Sequence, residues 1–175
     1  VMEDEENRMK EVQINKNGEV VTFAPTICEM VPNQNWEDYL FEHIDKALAL
    51  GAKDVGMEES GFFPGTRYSE AFKEAWQEYY NEPWQDPESS PLARFQSEML
   101  KQYLFRNQYD QLAQRVSAKY PESRFLYVNH SMFANTAYGN TVDVYGCAAL
   151  PSIFGIEAQV WSDTTRVPIL HRGES

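Results

Sequence analysis

Apolar and polar positions along the chain alternate between two periods. Val12-Gln13-Ile14 and Val20-Val21-Thr22-Phe23 flank Asn17-Gly18, a pair suited to a tight hairpin turn. Thr26 to Val31 reads as a strand stopped by Pro32. Trp36, Tyr39, Leu40, His43, Ile44, Ala47 and Leu48 then recur at helical spacing, with Asn35 as N-cap and Gly51 as the stop. A short run over 53–58 follows and ends at the adjacent carboxylates Glu58 and Glu59, before the loop-like Ser60-Gly61-Phe62-Phe63. Ser69 caps a helix carrying Phe72, Trp76, Tyr79 and Tyr80. Asn81 to Ser90 is a proline-marked loop. Ser90-Pro91 then opens a helix reaching about Lys119, with Phe95, Met99, Tyr103, Leu112 and Val116 on one side. Arg124 to Val128 is the next strand, followed directly by Asn129-His130-Ser131. Residues 133–152 are less periodic, and Ile156 to Trp161 is the last clear strand.

Strands alternating with helices predict β-α-β crossovers and parallel pairing. The expected fold class is α/β: a partial (β/α)8 TIM barrel with parallel strands near 26–31, 53–58, 124–129 and 155–161. A full barrel takes roughly 250 residues. At 175 residues, the chain reads as a fragment of a longer one. The expected organisation is a single partial barrel domain over 1–175. It is charged and frayed or helical over 1–11 and barrel-like from about residue 20.

Composition narrows the partners. The 27 acids and 15 bases give a net charge of -12, which repels nucleic acid and anionic membranes. No apolar run reaches the roughly 18 residues of a membrane span, and the acidic start has no signal-peptide core. Any export signal would lie upstream. Cys28 and Cys147 form no CxxC motif, and buried free thiols are the expectation. The three histidines, His43, His130 and His171, show no metal-ligand spacing, and no glycine-rich phosphate loop occurs. No cofactor is expected. Aromatics make up 14% of the chain, enough for a large core and for stacking on ring-shaped ligands.

Several stretches carry a family pattern: Met30-Val31-Pro32 with Trp36 and Tyr39, Glu58-Glu59, Tyr68 to Lys73, and Trp76 to Trp84. His130-Ser131 and Ala158-Gln159-Val160-Trp161 with Thr165-Arg166-Val167-Pro168 complete it. Over about 28–173 the chain resembles a bacterial glycoside-hydrolase-like TIM-barrel family. Two departures stand out: Ser60-Gly61 replaces Pro-Glu after the acids, and Ser162-Asp163-Thr164-Thr165-Arg166 replaces Thr-Gly-Thr-Ala-Arg. The resemblance implies hydrolysis of glycosidic bonds and a carbohydrate substrate; a periplasmic or extracellular location is favoured if the chain is a glycosidase. The alternative is a catalytically silent sugar-binding barrel.

Glycoside hydrolysis needs two flanking carboxyl groups, and barrel sites lie at the carboxyl ends of strands. Glu59, last on its strand, is the expected general acid/base, and Glu58 its neighbour or substitute. Adjacent strand residues point to opposite faces, so the two cannot easily form the catalytic pair. In retaining barrels of this kind the nucleophile follows strand seven, which would lie beyond Ser175. Glu29 and Asp163 are the substitutes within the chain. Asn129 and His130 at a strand end would contact sugar hydroxyls or the acid, although a histidine there can equally bond a loop carbonyl. Trp161 would form a ring platform or belong to the core. Arg166 would bind an acidic sugar or close a loop salt bridge. Tyr138 and Trp84 are weaker loop aromatics of the same kind.

Overall fold

The computed structural model describes residues 9–24, 27–58, 62–63, 65–130 and 153–157. The described residues open with a helical turn over 9–11, followed by a small antiparallel layer. The turn at Asn17-Gly18 forms with Gly18 at φ 81°, and Ile14 bridges Val20. Strand β1 (Thr22–Ala24) pairs antiparallel with β2 (Ile27–Cys28), and Met30 bridges Val12, also antiparallel.

Three long helices follow, with β3 (Asp54–Glu58) between the first two: α1 (Gln34–Ala49), α2 (Glu70–Tyr80) and α3 (Pro91–Lys119). Their starts are side-chain caps. Asn33, not Asn35, accepts from the Trp36 amide at 2.9 Å, Ser69 accepts from Phe72, and Ser90 accepts from Ala93 with Pro91 in the first turn. Strands β4 (Arg124–His130) and β5 (Ile153–Glu157) complete an open parallel sheet with β3, in the order β3-β4-β5.

This arrangement corrects the expected fold class. Among the described residues there is no TIM barrel. In the segment expected as the first parallel strand, 26–31, Ile27–Cys28 joins a separate antiparallel sheet and Met30 bridges Val12, also antiparallel. Local pairing across short turns closes small loops, whereas a parallel partner needs a long crossover. The last strand is displaced as well: it is Ile153–Glu157 rather than 155–161.

The helices pack on one face of β3-β4-β5, where Phe125 is buried and Val55 and Met57 rest against the core. Phe62, wholly buried just past β3, meets Phe72 and Phe105 edge-on at 5.7 and 5.2 Å. The Gln13 amide joins the antiparallel layer to the same segment. Its Oε1 accepts from the Phe63 amide and from Thr66 Oγ1, both at 2.9 Å, and its Nε2 donates to the Met30 carbonyl.

On α1, Leu40, Phe41, Ile44 and Leu48 reach the core, while Trp36, Tyr39 and His43 stack along its flank. On α3, Leu112 and Val116 are buried, but Phe95, Met99 and Tyr103 are exposed. The buried stripe instead runs through Ala93, Ser97, Leu100, Lys101 and Phe105. Its small and polar members hide it from a hydrophobicity count.

Phe62→Ala should cost about 3–5 kcal/mol, the usual range for emptying an aromatic core site, measured by denaturant unfolding. At Gly56 any Cβ would stand 2.6 Å from the Leu126 carbonyl oxygen on the adjacent strand. Gly56→Ala should therefore destabilise by about 1–3 kcal/mol through overpacking, read as a lowered Tm.

Candidate functional site

Ligands of open α/β sheets bind beyond the carboxyl ends of the strands. Here those ends are aligned by an ion pair at the other end of the ladder. Arg124 Nε and Nη2 donate to the two Asp54 carboxylate oxygens at 2.7 Å each, across the register pair Asp54↔Arg124. The guanidinium holds the Asp54 carboxyl below its ordinary range. The pair is solvated, so it sets register more than it adds stability.

From that register, Glu58 lies opposite Val128, Asn129 opposite Ile156, and His130 opposite Glu157. Strand alternation puts Asp54, Gly56 and Glu58 on one face, with Val128 and His130 of β4 and Gly155 and Glu157 of β5. Val55, Met57 and Phe125, which touch the helical core, lie on the other face. The face of Glu58, His130 and Glu157 is thus opposite the helices.

The sequence-derived residues divide accordingly. Glu58 and His130 share a face at the carboxyl edge of one sheet, and Asn129 stands at the same edge on the alternate face. Glu29 does not join them: it follows β2 in the antiparallel layer, where its carbonyl accepts from the Gln13 amide. Glu59, Tyr138, Trp161, Asp163 and Arg166 lie outside the described residues, as does Cys147. Trp84 is packed edge-on against Tyr68 at 5.6 Å with the Lys73 ammonium over its ring, a structural setting. Phe62, in the loop-like segment after the acids, is a core residue.

Glu157 was missed by the sequence argument. With the strand placed at 155–161 it falls near the amino end; with the strand at Ile153–Glu157 it is the last residue. The available signal was the β-branched and aromatic run Ile153-Phe154 just after Pro151.

Comparison with protein-family models, curated proteins and solved structures finds no match to this chain. No helix among the described residues is long and apolar enough to cross a membrane.

A buried cation lies within the helical layer. Lys101 is fully buried, donates to Glu98 at 3.2 Å and faces the Phe62 ring, while Glu98 also pairs with Arg67. Burial pushes the Lys101 ammonium down to about 8, partly offset by Glu98. Keeping it charged at neutral pH costs about 3 kcal/mol. Between about 8 and its unfolded value of 10.5 the unfolded chain holds the extra proton, so this contribution makes stability rise with pH. Above 10, Tyr68 and Tyr80, both raised first by burial, oppose the rise. Lys101→Met should be more stable at pH 7 and should lose the wild-type gain between pH 8 and 10. Urea unfolding at both pH values measures this.

Proposed function

We propose that the chain is a carbohydrate-active α/β protein that hydrolyses glycosidic bonds, with Glu58 and Glu157 as its carboxyl pair. The observation that carries the proposal is the register. It sets two glutamates and His130 on one face at the carboxyl edge of a parallel sheet. The family resemblance in the motifs around Glu58, His130 and Trp76 to Trp84 adds support from the sequence.

Glu58 and Glu157 are two strands and two residues apart in the ladder. Strand spacing and rise give roughly 12 Å between their backbones. That suits the wide inverting arrangement, with carboxyl groups about 6.5–9.5 Å apart, better than the narrow retaining one. Glu58 protonates the departing glycosidic oxygen. Glu157 takes a proton from a water whose oxygen attacks the anomeric carbon as the bond to the leaving sugar breaks. His130, beside Glu157 in the ladder, orients that carboxylate or a sugar hydroxyl, while Asn129 alternates onto the other face and takes no part.

Turnover of a polysaccharide and aryl-glycoside panel tests the proposal. Glu58→Gln and Glu157→Gln should each lower kcat by roughly 100-fold or more, the usual scale for losing an acid or base. NMR of the first-formed sugar should show the inverted anomer. A loss confined to Glu59→Gln would move the acid one residue along. Sugar binding without turnover would leave the silent binder, and neither binding nor turnover would remove carbohydrate from the account.

A further inference from the structure

The helical layer carries a second concavity that none of Glu58, Asn129, His130 or Glu157 lines. A cavity of about 750 Å³ opens between the start of α1 and the facing flanks of α2 and α3. That volume is in the range of small-molecule sites. Its charge is one-sided: Glu11, Glu37, Glu74 and Glu78 line it, with Lys10 the one basic residue among the described lining.

Two of these acids are engaged within the protein, Glu37 by Arg115 and Glu11 by Asn35. Glu74 and Glu78 are exposed and stand one turn apart on α2, where like charges repel. Across from them on α3 lies Gln108. It is only 3% exposed, yet both its amide oxygen and its amide nitrogen lack a partner. An unmade hydrogen bond of this kind costs about 1–3 kcal/mol. A ligand with N–H donors would satisfy the oxygen and neutralise the paired carboxylates together.

We propose that this groove binds an aliphatic polyamine. Glu74 and Glu78 are about 6 Å apart along the helix axis, close to the spacing of two ammonium groups joined by three or four methylenes. Among the described residues no three ligating side chains cluster as a metal site. The negative charge is spread along a helix, which suits an extended cation. At the rim, Tyr103 is exposed and contacts Tyr79 with ring centroids 4.5 Å apart, offering aromatic faces to an ammonium or its methylenes. The net charge of -12 favours the encounter.

Isothermal titration of the whole chain with spermidine, at low and at physiological salt, tests the assignment. Saturable one-to-one binding is expected. Glu74→Gln/Glu78→Gln should weaken it at least tenfold, while the control Glu19→Gln/Glu122→Gln leaves it unchanged. Gln108→Leu should weaken binding while raising Tm, because it removes a buried unpaired amide; a purely structural glutamine would lower Tm instead. Absence of saturation, equal weakening by both double variants, or displacement of spermidine by magnesium at equal concentration would overturn the proposal. Binding of a neutral oligosaccharide in the groove, insensitive to the charge variants, would do the same. None of these variants touches the sheet-edge glutamates, so failure here leaves the hydrolase proposal standing.

Discussion

Burial of Phe62 is the constraint on which the rest of the structure depends. It is the first described residue beyond the strand that carries Glu58, and it meets α2 through Phe72 and α3 through Phe105. One side chain therefore ties the outgoing end of β3 to two helices. Gln13 ties the antiparallel layer to the next residue by accepting from the Phe63 amide. A chain leaving a strand end is ordinarily its least constrained part. Here an edge-to-face aromatic contact and a buried amide on either side of one peptide bond hold it, so the segment after the acids is anchored from both layers.

Polar interactions inside this frame divide by burial. The Asp54–Arg124 pair is exposed and gives little energy, but it joins residues in register and so supports the alignment on which the relative placement of Glu58, His130 and Glu157 rests. Lys101 is the reverse case: buried, paired and costly in its charged form. Gln108 likewise pays for its place with an unsatisfied amide. Both sit on the stripe of α3 that faces the core, while Phe95 and Met99 face outward. The long helix thus carries polar residues within a mostly apolar buried stripe and leaves some large apolar residues in water.

Part of the candidate site was legible in the sequence. Glu58, Asn129 and His130 stand at the ends of apolar runs bounded by turn signals, and chain-local chemistry is enough to mark such ends. Glu157 was not legible, because a shift of a few residues in the strand moved it from one end to the other, and period-2 patterns do not mark where pairing stops. The groove around Gln108 was invisible for a different reason. Its lining comes from three helices and from residues 10–11 and 32–33, and no one of these segments alone shows a concavity.

The sequence by itself determined the local elements. Capping by Ser69 and Ser90, the turn at Asn17-Gly18 and the three helices follow from interactions within a few residues, which a linear pattern contains. Tertiary structure decided which strands pair. Ile27–Cys28 reads as a parallel strand in the linear pattern, yet it joins an antiparallel layer because a nearby partner closes a smaller loop. It also decided which helix face is buried, since Ala93, Ser97 and Lys101 lie in the buried stripe of α3 with Leu100, Phe105 and Leu112, while Phe95, Met99 and Tyr103 stay exposed. Pairing and packing depend on residues far apart in the chain, and periodicity carries no record of those distances.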